Sequence, residues 1–527
     1  MRNLRLIAVL AAFFSWSSAQ REGSLSGVAM GKMLAIVTDG GPAEQGTLAL
    51  EPEPSWSVGA KRLLFMIVDF SDAPGAPVAA STVQAMMDGQ VAPFYAANSY
   101  GRMTIATTVT PVLRMPMPAE WYRANSSGLA GWNVMMSDAR AAAEAAGFPA
   151  SDYDFDITGT PYINAGIGGI SNLGVKGSWV NGRFDFYVIA HEFGHQLGFY
   201  HASAWSPLDG SPIGGGRVVE YGNYFDLMGG QADSTRHFNA WFRSLKGWFM
   251  DGETSTVSAS GTYRIQAIEQ PKSTGSLALK IPRDAVRDYW VEFRQAITPD
   301  QNAMNGAVVC WGYSSNQRGH LLNMGLAGGA SAKGYALAIG RTFSDTDAGI
   351  HMTPVGKGGT SPETLDVVVN FGTFPGNTAP SVTVGASATA IAAGGTVTFT
   401  TAASDPDGDA LAYDWDFGDG SVGPNAGSAT KTFPTAGEYA VQCAVSDMKG
   451  GVGRDTVIVR VGAPATYRLS GRVTTGGSPL SGVRVSTGSY SARTDSDGTY
   501  TIVGVPSGSQ TLGAVKPGWR LAAGFAN

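Results

Sequence analysis

The run His191-Glu192-Phe193-Gly194-His195-Gln196-Leu197-Gly198-Phe199-Tyr200-His201 holds three of the chain's six histidines. Residues four apart on an α-helix share a face, so His191 and His195 can aim two imidazoles at one point. Glycine accepts positive φ at no steric cost. Gly198 is therefore placed to end the helix and turn the chain, bringing His201 back as a third ligand. Zinc takes imidazole nitrogen at roughly 2.0–2.1 Å in a tetrahedral shell, and three protein ligands with a fourth position for water mark a catalytic site. Glu192 follows the first histidine and stands near that water, where a general base belongs. The plainer alternative is an accidental helical pattern of satisfied histidines with a surface glutamate. The added glycine and third histidine at this spacing argue against it.

The extended spacing resembles the signature of metzincin zinc metalloproteases. That resemblance implies a methionine turn downstream. Tyr224-Phe225-Asp226-Leu227-Met228-Gly229-Gly230 fits, with Met228 as a soft apolar floor under the three histidines. The chain departs from some metzincins here. Glycines follow Met228, so no tyrosine stands two residues after it as fifth ligand or oxyanion helper.

Residues 61–370 are similar to gametolysin-like secreted metalloproteases and, more loosely, to immune inhibitor A-type bacterial proteases. Besides the histidine run, the similarity rests on Asp226-Leu227-Met228-Gly229 and on Asn239-Ala240 through Gly247-Trp248. Weaker matches are Ile67-Val68-Asp69-Phe70-Ser71-Asp72 and Ser99-Tyr100-Gly101-Arg102. The resemblance implies Zn2+ as cofactor and extracellular protein or peptide substrates. It also implies that Glu192 takes a proton from water and passes it to the leaving amine.

The elements that must position this site follow from periodicity. Residues 61–70 form an apolar run of strand length, central in a sheet. Residues 81–98 have helical spacing, 103–112 read as a strand, 133–146 as a helix ending at Gly147, 153–157 as a strand and 184–197 as the histidine helix. A further helix, 237–248, closes an α/β catalytic domain at 61–250, with Trp241 and Trp248 beneath it. His237 reads as a satisfied structural histidine, with a substrate contact as the alternative. Residues 251–375 carry short β runs and read as an accessory β-sandwich, in which His320 and His351 are non-ligands.

Residues 380–462 resemble a PKD domain, an immunoglobulin-like sandwich. The matching segments are Ser404-Asp405-Pro406-Asp407-Gly408-Asp409, Tyr413-Asp414-Trp415-Asp416-Phe417-Gly418-Asp419-Gly420 and Gly437-Glu438-Tyr439-Ala440-Val441. Alternation sends Trp415 and Phe417 inward, and Asp414 and Asp416 outward. The carboxylates at 405–409 suit Ca2+; turn chemistry explains them equally well. Residues 466–527 resemble the carboxypeptidase regulatory-like, transthyretin-like sandwich through Leu469-Ser470-Gly471-Arg472-Val473 and Thr494-Asp495-Ser496-Asp497-Gly498-Thr499-Tyr500. The last strand of such a module is not evident before Asn527.

Composition agrees with a multidomain, largely β protein: 527 residues, 43% hydrophobic, 15% charged, 71 glycines. A formal charge of −6 without a basic stripe excludes nucleic acid as a partner. Two distant cysteines, Cys310 and Cys443, read as buried free thiols. Arg2 and Arg5, the apolar residues 6–14 and Ser17-Ser18-Ala19 read as a secretory leader, 1–19. Residues 20–60 then read as a short pro-segment or a first strand, with no cysteine to block a metal. No later segment has the eighteen apolar residues of a membrane anchor, so the chain reads as secreted. A second class of function remains: an adhesive protein whose C-terminal sandwiches bind polysaccharide, matrix or a cell surface, with little proteolysis. Expression with export tests the leader. N-terminal sequencing of the released protein should begin at Gln20, and a released chain that keeps residues 1–19 removes the leader reading.

Overall fold

Strand Gly59–Asp69 is apolar on both sides: Leu63, Phe65 and Ile67 enter one core, while Leu64, Met66 and Val68 enter another, all fully buried. A strand buried on both faces belongs inside a parallel sheet covered by helices on each side. The computed structural model, which describes residues 2–7 and 54–521 with breaks at 126–128, 165, 209–210, 231–235, 273, 296–303, 314–316, 326–334, 465 and 517–518, has that architecture. The sheet runs Met103–Val109, Gly59–Asp69, Phe155–Thr160, Ser178–Asn181, Gly169–Ser171, parallel except at the last pair. Helix Phe186–Gln196 and the helical stretch 80–98 cover one face. Ala119–Asn125 and Leu129–Ala145 cover the other.

The histidine helix has a defined start and stop. Asp185 caps it, accepting the Val188 N–H at 3.0 Å. At the other end Gly198 takes φ +86°. Its N–H donates to the His195 carbonyl at 2.8 Å, and the Phe199 N–H donates to the Gly194 carbonyl at 3.1 Å. This pair of bonds is a Schellman ending. Gln196 ties the helix to the sheet, donating to the Asp156 carbonyl at 2.9 Å and to Ser178 Oγ at 2.6 Å. The expected helix at 237–248 is shorter, Ala240–Leu245, because Asn239 caps it through the Phe242 N–H. Trp241 and Trp248 both enter the core beneath.

Two expected boundaries shift. A pro-segment reaching residue 60 would take core with it. Trp56 Nε1 donates to the Gln196 carbonyl, Ser57 Oγ to the Lys246 carbonyl, and Gly59 and Ala60 already belong to the central strand. The division at 250/251 also fails to follow the hydrogen bonding. Strands Ser203–Pro207 and Gly216–Val219 lie in the eight-stranded accessory sheet, joined to it where Ser203–Pro207 runs parallel to Gly319–Leu321. That sheet packs on a four-stranded one over a second core containing Val291, Trp311 and Val367.

Farther along, two sheets of three and four strands enclose Trp415, Phe417 and Phe433. Asp416 faces out as expected, but Asp414 is buried, because Arg341 of the accessory sandwich covers it. The C-terminal sandwich encloses Val473, Val485 and Tyr500, and its last described strand is Trp519–Leu521. Residues Arg2–Ile7 form a strand against Tyr467–Thr475 and Trp519–Leu521. Cleavage after Ala19 would remove it, so leader and strand are alternatives. Cys310 and Cys443 are both buried and free. Among the described residues no helix is long and apolar enough to cross a membrane.

Replacing Gly198 with alanine forces a side chain into left-handed backbone. Gly198→Ala should destabilise the fold by about 1–2 kcal/mol, read by urea unfolding in the presence of chelator. An unchanged midpoint would contradict the Schellman ending.

Candidate metal centre

The helix and its ending bring His191, His195 and His201 together. Their ring centroids lie 4.8, 5.0 and 5.4 Å apart, and one nitrogen of each lies within 4.8 Å of the others. Among the described residues this is the one group of three or more metal-ligating side chains so gathered. All three are buried, as is Glu192.

Each ring is held through Nδ1. His191 Nδ1 lies 3.2 Å from the Leu227 carbonyl, His195 Nδ1 2.7 Å from the Phe199 carbonyl, and His201 Nδ1 2.6 Å from Glu220 Oε1. A carbonyl or carboxylate oxygen only accepts, so Nδ1 carries the proton in each ring and Nε2 carries the lone pair. Burial, with His201 second, pushes the His191 imidazole down to about 3. Burial likewise holds His195 well below the usual range, with His191 and His201 adding to it. Both are therefore neutral at physiological pH, the form in which imidazole binds a metal.

Buried polar atoms rarely lack partners. Here the Nε2 atoms of His191, His195 and His201, and Oε2 of Glu192, all do. Three imidazoles with convergent Nε2 atoms, each ring oriented by an acceptor behind it, form a donor set suited to zinc. The residues present fit that ion. Burial pushes the Glu192 carboxyl well above the usual carboxylate range. Gly169 leaves it room: a Cβ there would stand 2.6 Å from Glu192 Cγ.

Met228 lies beneath the helix, where a Cβ on Gly194 would meet its Sδ at 2.7 Å. The turn is fixed by Asp226, whose Oδ1 accepts the Met228 N–H at 2.8 Å and whose Oδ2 accepts Asn239 Nδ2 at 2.7 Å. Burial raises the Asp226 carboxyl to about 6, against those bonds. Tyr187 Oη donates to the Gly229 carbonyl at 2.5 Å, joining helix and turn.

Sequence reasoning did not find Glu220, Gln196, Gly169 or Tyr221. The Tyr221 ring lies 3.9 Å from the His201 ring, and its backbone is left-handed at φ 59°. The histidines expected to be non-ligands lie outside the cluster. Arg243 donates to His237 Nδ1 at 3.1 Å. His351 bonds Ser344 Oγ and the Gly372 carbonyl, and His320 sits beside Trp205 and Tyr313. In the 405–409 loop, Asp405 Oδ1 accepts the N–H groups of Asp407 and Asp409, and Lys449 pairs with Asp409. The two bonds to Asp405 are turn chemistry, and the Lys449 pair ties the loop to a segment distant in sequence.

A family model for the PKD domain matches residues 381–460, and these residues are a PKD domain. A stretch of 61 residues is 39% identical to collagenase ColA of Clostridium perfringens, covering 12% of this chain; the chain spans 5% of that protein's length. The PKD domain of an M14-like peptidase from a Thermoplasmatales archaeon is 24% identical, covering 16% of this chain and 99% of that one, with a TM-score of 0.16. The PKD1 domain of the Vibrio cholerae metalloprotease PrtV is 28% identical over 16% of this chain and 99% of that one, with a TM-score of 0.14.

The carboxylate behind His201 should tune metal affinity. Glu220→Gln is expected to weaken zinc binding by roughly 10- to 100-fold, measured by competition with a chromogenic chelator. An unchanged affinity would reduce the His201–Glu220 contact to a surface pair.

Proposed function

We propose that this chain is a secreted zinc endopeptidase of the metzincin type, acting on extracellular protein substrates. One observation carries the proposal: three buried imidazole nitrogens without partners converge beside a buried carboxylate oxygen that also lacks one. Further support comes from the PKD domain and from the short likeness to a collagenase.

His191, His195 and His201 would hold Zn2+ through Nε2, and the bound ion would supply Lewis acidity and a water pKa lowered towards ~7. Everything else is the work of the chain. The Leu227 and Phe199 carbonyls and the Glu220 carboxylate fix the imidazole tautomers. Glu192 Oε2 receives a proton from the attacking water and delivers it to the departing amine. Its buried setting favours holding that proton between the two transfers. Met228 packs against the helix at Gly194 and keeps the floor apolar. Tyr221, stacked on His201, forms a wall on that side. The β-sandwiches that follow hold the enzyme to a matrix or polysaccharide.

Two variants test the assignment. Glu192→Gln should keep one equivalent of zinc and lose roughly 10²- to 10⁴-fold in kcat. His195→Ala should lose the metal, read by elemental analysis of purified protein. A fully active Glu192→Gln enzyme would end the general-base role, and wild-type protein that takes up no zinc would end the proposal.

A further inference from the structure

Three β-sandwiches meet around a cavity of about 210 Å³. Arg341 comes from the accessory sandwich, Asp414, Asp416 and Arg454 from the PKD domain, and Arg493 from the C-terminal sandwich. A second hollow of about 500 Å³ shares Asp416, Gln442 and Arg493 with it, and continues past Thr456, Tyr490 and Ser491.

Three arginines, Arg341, Arg454 and Arg493, and three aspartates, Asp414, Asp416 and Asp495, meet here, but not all of them pair. Arg341 Nε donates to Asp414 Oδ2 at 2.7 Å, while Oδ1 of that carboxylate has no hydrogen-bond partner. Asp416 Oδ1 accepts the Gly418 N–H, and Asp495 accepts from Gln442 and Thr456. Arg454 and Arg493 are half-buried, and among the described residues neither guanidinium has a hydrogen bond or an ion pair. Burial pulls both below the ordinary guanidinium range, to about 10 and about 9, and Arg341 adds repulsion to each. The domains are pinned around them. Thr342 Oγ1 and Ser446 Oγ lie 2.7 Å apart, Asn425 donates to the Val355 carbonyl at 2.9 Å, and Arg468 pairs with Glu438. Desolvated cations without counter-charge are costly, and guanidinium forks match the oxygens of carboxylates and sulfates.

We propose that this junction binds an acidic polysaccharide, with a carboxylate or sulfate group on Arg454 and Arg493 and the sugar ring in the adjoining hollow. The lining of that hollow favours a sugar over an acidic peptide. It carries hydroxyls and glycines, including Ser489, Ser491, Thr501 and Gly418, beside Asp416, Arg484 and Arg493, with Tyr490 38% exposed at its side. The chain as a whole carries −6, so a polyanion would be held locally, by Arg454 and Arg493 and by Arg484 on the wall of the hollow. The site stands apart from the histidine cluster and does not depend on it.

Calorimetry on the full chain tests the proposal, with a polyuronate, a sulfated glycosaminoglycan, neutral dextran, polyglutamate and inorganic sulfate as separate probes. At least one acidic polysaccharide should bind, and dextran should not. Arg454→Gln with Arg493→Gln should cut affinity about tenfold or more, the loss of a charge-assisted bond. Arg493→Lys, which keeps the charge and loses the fork, and the exposed Tyr490→Ala should each weaken binding; they carry the test if the double variant does not fold. Four results would overturn the proposal: no binding of either acidic polysaccharide, equal binding by the variants, polyglutamate binding as tightly, or binding of inorganic sulfate alone.

Discussion

Three imidazole protons, each committed to an acceptor behind its ring, set the rest of this structure. Once Nδ1–H of His191, His195 and His201 point outward to Leu227, Phe199 and Glu220, the three Nε2 lone pairs have only one another to face. Lone pairs repel and nothing in the chain neutralises them. A positive ion among them would offset that repulsion. The acceptors come from three different places: the turn at Met228, the Schellman ending of the helix and the residue after strand Gly216–Val219. Ring orientation therefore reports on the folding of all three segments at once.

Those segments belong both to the parallel-sheet unit and to the accessory sandwich. Strands Ser203–Pro207 and Gly216–Val219 extend the accessory sheet, and Glu220 and Tyr221 follow them. The turn is anchored from the same side. Asp226 holds Asn239, the next residue, Ala240, donates its N–H to Glu292 Oε2, and Glu292 pairs with Arg294. Arg294 also reaches Glu269 and the His237 carbonyl. This is a buried ion cluster, and removing Arg294 would leave two buried carboxylates without their cation, a loss of about 3–5 kcal/mol. The accessory sandwich is thus part of the frame that aims the third histidine, and the site has no complete second layer without it.

The histidine cluster was legible because its geometry is local. His191, His195 and Gly198 lie within one helix and its ending, where four-residue spacing and positive φ decide direction. Met228 was legible only through resemblance; nothing in its own neighbourhood distinguishes it from a core methionine. Glu220 and Tyr221 carried no signal. Their roles depend on a β-hairpin laid across two regions, and on a left-handed tyrosine backbone that no propensity favours. His237 was legible as structural for a related reason: a histidine beside Asn239 and Arg243 has partners within a turn of chain.

Asp414 marks the limit of reading a strand by alternation. In an isolated sandwich, residues i and i+2 face one side and their neighbours face water, so Asp414 and Asp416 should share an exposed face. Residue-by-residue alternation says nothing about what lies against that face. Here Arg341 of the preceding sandwich covers Asp414, while Asp416, two residues on, stays open. A carboxylate buried by a neighbouring module is paired by it, and the pairing fixes how the two modules meet. The same packing half-buries Arg454 and Arg493, and among the described residues neither guanidinium has a hydrogen bond or an ion pair. The charges that bind modules together and the charges left over are consequences of one contact, set by the order of domains along the chain rather than by any single domain's sequence.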